Sequence, residues 1–165
     1  MSTDIDVVTT LEKMADDLRP LLPSSPLMIG IHTGGVWLAE RLHKLLGLEE
    51  PLGTLDISFY RDDFTRIGLN PQVKASDLPF DMEDRHIILV DDVLHTGRTI
   101  RAALNEIFDY GRPASVKLAV LINRGGRELP IQADVIGESV ELKPGQQIKL
   151  TGPDKLALVI QEARQ

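Results

Sequence analysis

Two hydrophobic rhythms alternate along the chain. Val8, Leu11, Ala15, Leu18 and Leu22 recur at helical spacing across residues 5–22, and Pro20 and Pro23 close that segment. The continuous apolar run Leu27-Met28-Ile29-Gly30-Ile31 predicts a buried strand. His32-Thr33-Gly34-Gly35 then turns the chain into an amphipathic helix over 36–46 that stops at Gly47. Leu55, Ile57 and Phe59 alternate with Asp56, Ser58 and Tyr60, a strand pattern. From 61 to 83 the pattern dissolves, and loops of that length inside a compact domain are usually functional lids or disordered. A strand over 86–90 follows. Next comes a helix over 99–110 whose apolar face is Ile100, Ala103, Leu104, Ile107 and Phe108, stopped by Gly111 and Pro113. Residues 116–122 form another continuous apolar strand, and 133–136, 146–150 and 156–160 are shorter strand candidates.

Apolar strands alternating with amphipathic helices predict βαβ units. The expected fold is α/β, a mainly parallel twisted sheet flanked by helices, in one domain over 1–165. Ligands of such sheets sit outside the carboxyl ends of the strands. The loops at 32–35 and 91–98 occupy that position.

Composition narrows the function classes. The 165 residues are 42% hydrophobic and 26% charged, ordinary for a globular domain, so a substantial core is expected. No window approaches the roughly eighteen apolar residues of a membrane span. The acidic start MSTDIDVVTTLEKMADD has no basic region before an apolar run, so no secretory signal is expected there. The absence of cysteine rules out disulfides and thiol chemistry and fits a reducing cytoplasm. Histidines occur only at 32, 43, 86 and 95, too scattered for a cysteine/histidine zinc site. A formal net charge of −7 argues against broad, non-specific nucleic-acid binding.

The chemistry concentrates in ILVDDVLHTGRT, residues 88–99. Gly97 allows successive amides to point into one concavity, Thr96 and Thr99 add hydroxyls, and the following helix offers its positive end. Those groups form a phosphate cradle. Asp91 and Asp92 would repel a phosphate, so they must face sugar hydroxyls or a divalent cation. A ribose 5-phosphate unit satisfies both halves. Taken alone, an Asp-Asp pair is commonly a solvated turn and Thr-Gly-Arg-Thr a helix cap; the combination between a buried strand and an amphipathic helix is far more specific. Neither GxxxxGK[ST] nor GxGxxG occurs in the chain.

This stretch resembles the phosphoribosyl pyrophosphate (PRPP) motif of the type I phosphoribosyltransferases. IGIHTGGVWLAERL, LDISFYRDDF and DDVLHTGRTIRAALNEIFDYGRPASVKLAVLINRGGRELPIQADVIG extend the likeness to the PyrR family, over nearly all of residues 29–137. The resemblance implies the type I phosphoribosyltransferase fold with a small hood. It also implies uracil phosphoribosyltransferase activity, uracil and PRPP giving UMP and pyrophosphate with Mg²⁺. In many members this is joined by regulation of pyrimidine genes through messenger RNA. It gives Asp91 and Asp92 the ribose hydroxyls, directly or through magnesium, and gives Val93, Leu94, His95, Thr96, Gly97, Arg98 and Thr99 the 5-phosphate. Thr33, Gly34 and Gly35 would lie under the pyrophosphate. Arg61 would act from a mobile loop over about 61–83, with Arg66 and Lys74 as further basic groups there. Arg124 and parts of 123–165, chiefly around 135–148, would form the hood, Ile148 stacking on the base or meeting it through its backbone. His95 is expected to pack or cap the phosphate loop rather than act as a general base. A homo-oligomer, dimer or higher, is also implied.

Two departures from the family pattern stand out. Gly34 replaces an arginine that many relatives carry. The region of the first helix sets Asp4, Asp6, Glu12, Asp16 and Asp17 against Lys13 and Arg19, and Gly126 stands where RNA-binding relatives tend to have histidine, with Arg127 beside it. Two other readings remain open: a UMP-sensing RNA-binding regulator with little enzymatic role, and a purine-salvage phosphoribosyltransferase.

Overall fold

The computed structural model describes residues 3–57 and 76–162. Helix α1, Val7–Leu18, begins at Asp6, whose Oδ1 accepts the Val8 N–H at 3.1 Å, and runs into a short 3₁₀ segment, Arg19–Ser24. Strand β1, Leu27–Ile31, leads into α2, Gly34–Leu46, which ends on Gly47 at φ +63°. Then come β2 (Gly53–Leu55), β3 (His86–Leu94), α3 (Arg98–Tyr110), β4 (Ser115–Arg124) and β5 (Val135–Val140). The last two strands, β6 (Gln146–Thr151) and β7 (Ala157–Glu162), form a separate antiparallel hairpin.

The main sheet has the order β2-β1-β3-β4-β5 and every pairing in it is parallel. From β1 the chain passes first to β2 on one side and then to β3 on the other. The crevice opens where that direction reverses, above the carboxyl ends of β1 and β3. Both predicted loops reach it.

One face of the sheet packs on α1 and α2 through Leu11, Met14, Leu18, Leu38, Leu42, Ile88 and Val90. The other packs on α3 through Ile29, Leu89, Ile100, Ala103, Ile107 and Val120. Full burial of each large apolar side chain contributes about 1.5–3 kcal/mol. The buried stripe of α1 is Val7, Leu11, Met14, Ala15 and Leu18, one residue round from the expected face, and Val8 is 63% exposed. Phe108 likewise leaves the expected stripe of α3: it lies about 100° past the buried Ile107 and is exposed.

Three expectations about extent change. β3 continues past Val90 to Leu94, so Asp91 and Asp92 lie within it, and Leu94 turns its side chain into the core on the α3 side. Residues 135–140 form the edge strand of the main sheet, Ala119 pairing with Val135, so of the expected hood segment only residues 146–162 stand apart from that sheet, as the β6–β7 hairpin. Residues 76–83 are docked rather than lid-like. Thr54 and Asp77 exchange N–H···O bonds of 2.8 and 2.9 Å, and Met82 is buried. Arg61, Arg66, Lys74 and the Phe59 end of the predicted strand lie outside the described residues.

The hairpin is tied to α2. Arg41 donates from Nη2 to the carbonyls of Pro153 and Asp154 at 2.8 and 3.1 Å, and the Trp37 ring lies against Gly152. Among the described residues no helix is long and apolar enough to cross a membrane.

Candidate active site

The two aspartates occupy a break in the alternation of β3. Ile87 and Leu89 face α3 while Ile88 and Val90 face α2, but Val93 faces the α2 side and Leu94 the α3 side. The reversal falls across Asp91 and Asp92. There Asp91 Oδ1 accepts the Asp92 N–H and Asp92 Oδ1 accepts the Val93 N–H, each at 2.8 Å. The β4 ladder keeps its register through the break, Asp91 opposite Val120 and Val93 opposite Ile122. Asp91 is only 5% exposed, so one carboxyl of the pair belongs to the buried part of the strand.

Glycines bring the loop after β1 against these carboxylates. A Cβ on Gly34 would stand 2.5 Å from Asp92 Oδ2, and one on Gly35 would stand 2.6 Å from the Val90 carbonyl oxygen. Only a bare backbone passes there. The His32–Thr33 peptide that enters this loop is cis. Thr33 caps α2 without a side-chain hydrogen bond, while the Val36 N–H donates to the Thr33 carbonyl at 3.2 Å. The start of α3 is similar: Gly97, at φ +94°, supplies no side-chain cap. In contrast α1, away from the crevice, is capped by Asp6. The start of α2 is the one that lies against the aspartates, Gly34 beside Asp92 and Gly35 beside Asp91.

Of the stretch Val93 to Thr99 expected around the 5-phosphate, His95-Thr96-Gly97 form the turn between β3 and α3. Arg98 and Thr99 begin α3. The Arg98 N–H donates to Thr96 Oγ1 at 3.1 Å, and Arg98 Nε pairs with Glu128 Oε1 at 2.7 Å on the surface. Val93 turns toward a cavity of about 390 Å³ that it shares with His95, Arg124 and the turn 145–148 entering β6. Here the base-side expectations converge. Arg124 Nη1 donates weakly to the Gln146 carbonyl at 3.5 Å, while its Nε is buried with no partner among the described residues. A buried donor without an acceptor is expensive, and a ligand carbonyl in this cavity would satisfy it. Ile148 lines the cavity too, yet it is 7% exposed and joins the core cluster of the α2 face.

The His95 ring lies against Gly126, where a Cβ would come within 2.9 Å of Nε2. Its pKa is held below the ordinary 6.5 by burial first, then by the Arg124 cation, with Glu128 opposing and Arg127 adding. A histidine lowered in the folded state contributes stability that is complete above its unfolded pKa and lost as pH falls through the folded one. We expect the His95 ring to titrate below 6.5 by NMR. The stability advantage of the parent over His95→Gln should be constant above that value and shrink below it. The ring is largely exposed, so this effect is small; a midpoint at or above 6.5 would contradict the packing.

Sequence reasoning missed one residue that touches the phosphate loop. Arg127, noted only beside the RNA question, donates from Nη1 to the His95 carbonyl at 2.8 Å. No spacing rule announces an arginine whose partners are backbone carbonyls. The single hint was its place after Gly125-Gly126, a turn tight enough to fold the side chain back.

The phosphoribosyl transferase domain family matches residues 9–150 of the chain. Over 152 residues the chain is 64% identical to the bifunctional protein PyrR of Nitrosococcus oceani, covering 91% of this chain and 84% of that one. It is 60% identical to the protein of the same name from Pseudomonas paraeruginosa, covering 90% and 89%. Among solved structures, the purine phosphoribosyltransferase of Pyrococcus horikoshii aligns with a TM-score of 0.62 at 26% identity, covering 84% of this chain and 87% of that one. With the parallel sheet, the paired acids on β3 and the glycine loop after β1 in place, that identity over nine-tenths of the chain assigns it to the PyrR family of phosphoribosyltransferases.

Proposed function

We propose that the chain transfers the 5-phosphoribosyl group of PRPP to N1 of uracil, releasing pyrophosphate. The observation that carries this reading is the juxtaposition at the β1/β3 crevice. The start of α2, which has no side-chain cap, lies against Asp91 and Asp92, the His95-Thr96-Gly97 turn follows them in the chain, and the unpartnered Arg124 Nε lies in the adjoining cavity.

The bond from the anomeric carbon to pyrophosphate breaks as the bond to N1 forms, and the N1 proton passes to solvent. The amides around Thr96 and Gly97 hold the 5-phosphate, and those of Gly34 and Gly35 hold the departing pyrophosphate. Asp92, with Asp91 beneath it, holds the ribose hydroxyls and favours the positive charge that develops on the sugar. Catalysis here is positioning and electrostatics, with no covalent step on the protein.

A magnesium ion fits this donor set. Mg²⁺ takes one or two carboxylates and completes its shell with water and substrate phosphates. Among the described residues no group of three His, Cys, Asp or Glu could cage a metal by itself, whereas Asp91 and Asp92 offer the required pair. Bound there, the ion would screen the negative charge of the pyrophosphate.

The cavity volume admits either a pyrimidine or a purine, so its polar groups must discriminate. Uracil presents two carbonyls and an N3–H, matching a donor at Arg124 Nε and backbone acceptors such as the Gln146 carbonyl. The purine reading has only the more distant structural likeness, at 26% identity, against 60–64% for the PyrR relatives. A steady-state assay with PRPP and Mg²⁺ should show uracil turned over at least tenfold faster than hypoxanthine or guanine. No turnover of uracil would refute the proposal. The cysteine-free composition favours a cytoplasmic setting.

Gene regulation through RNA is the second activity implied by the family resemblance. Lys13 Nζ donates to the Gly137 carbonyl at 3.1 Å and Arg127 spends four of its five donors on the protein, so neither cation points freely outward. A gel shift of pyrimidine leader RNA at moderate salt, with and without UMP, reads this activity separately.

A further inference from the structure

We propose that Arg127 is a positioning residue that aims the Thr96 amide at the ligand phosphate. The inference rests on the phosphate-loop assignment made under Proposed function.

Arg127 uses four of its five N–H donors on the protein. Nε donates to the Ile131 carbonyl at 2.8 Å, Nη1 to the carbonyls of His95 and Arg124 at 2.8 Å each, and Nη2 to Asn123 Oδ1. One planar group thus joins the phosphate loop, the base-side arginine and the turn between β4 and β5. A second clasp lies beside it. The Thr96 carbonyl accepts the N–H groups of Glu128 and Leu129 at 2.9 and 3.2 Å, and Gly97 is backed by Ile131 and Leu129.

The consequence follows from peptide planarity. In a trans peptide the C=O of one residue and the N–H of the next point in opposite directions. Fixing the His95 carbonyl toward Arg127 turns the Thr96 N–H to the opposite side of the loop. Fixing the Thr96 carbonyl toward Glu128 and Leu129 does the same for the Gly97 N–H. Neither amide has an acceptor among the described residues. Both are left as adjacent, outward-aimed donors, the arrangement that binds an anion. Arg127 prepares one of the two and the backbone clasp prepares the other. Lysine cannot replace it, because a single ammonium lacks the flat fork that reaches four acceptors at once.

The test is an amide NMR titration of uniformly ¹⁵N-labelled protein with inorganic phosphate and with UMP. In the parent, the Thr96 and Gly97 amides should both shift on binding. In Arg127→Lys, the Gly97 response should remain, the Thr96 response should collapse, and phosphate affinity should fall about tenfold, as expected for losing one hydrogen bond to a charged group. KM for PRPP should rise by a similar factor while KM for uracil changes less than twofold, a split that general loosening of the fold would not produce. Arg127→Lys binding phosphate within twofold of the parent overturns the proposal. So does a parent Thr96 amide that ignores phosphate, a result that needs no variant to fold. Inorganic phosphate reads the loop without base or turnover, so an enzyme inert toward uracil would refute the proposed reaction and leave this result standing.

Discussion

Asp92→Asn lowers kcat/KM by on the order of a hundredfold to a thousandfold and leaves the unfolding midpoint within a few degrees of the parent. Asn preserves the side-chain oxygen that accepts the Val93 N–H at 2.8 Å, so the local backbone keeps its bond. What disappears is the negative charge beside the sugar, and with it the attraction that strengthens as the anomeric carbon becomes cationic. That interaction grows only on the way to the transition state, so its loss appears in turnover. Asp91→Asn behaves similarly for activity. Asp91 is 5% exposed, so removing its charge relieves a desolvation cost while the bond to the Asp92 N–H survives through Oδ1. Steady-state kinetics with PRPP and uracil, set beside thermal melts of the same samples, check both variants. Full activity in both would remove the carboxylates from the mechanism.

Gly35→Ala and Gly34→Ala, adjacent and chemically identical changes, fail in different ways. At Gly35 the new methyl meets the Val90 carbonyl oxygen at 2.6 Å and Asp91 Cα at 3.1 Å. Those are backbone atoms of a central strand paired on both sides, so relief requires pulling α2 off the sheet. We expect a loss of about 2–4 kcal/mol in stability, a fall of several degrees in the unfolding midpoint, and little activity. At Gly34 the methyl meets the Asp92 carboxylate, with Oδ2 at 2.5 Å, a group that can swing aside. The fold survives, but Asp92 leaves its working position and turnover falls about tenfold or more. Equal melting temperatures for the two variants would show that the loop does not pass the strand as closely as described.

What the chain discloses by pattern and what it hides divide along physical lines. The strand–helix alternation, the placement of both loops over the carboxyl edge and the pairing of acids with a threonine-glycine turn are local features, and the structure has each of them. Asp is disfavoured in strands, so the apolar run alone ends β3 at Val90. The strand runs on to Leu94 because β4 remains in register beside it and the two carboxylates take backbone N–H groups. Helix faces are legible only to within one position: Val8 and Phe108 flank their stripes and end exposed. The end of the segment 61–83 seemed featureless because its anchors are spaced too irregularly to form a rhythm. Phe80 reaches across to Gly53, and Asp77 pairs with Thr54. Arg127 was illegible for a different reason, since a carbonyl acceptor exists at every residue and leaves no mark in the sequence.

The ties between α2 and the hairpin bear on how the two reactants are handled. Gly34 opens α2 beside Asp92, and Arg41, about 10 Å further along the same axis, grips the turn of the hairpin whose first strand borders the cavity at Arg124. If pyrophosphate and base sit where the proposed function puts them, the seats of the two reactants are mounted on one shaft. On the proposed reading, an outward tilt of the hairpin would strain the Arg41 bonds and pull on the helix that begins at Gly34.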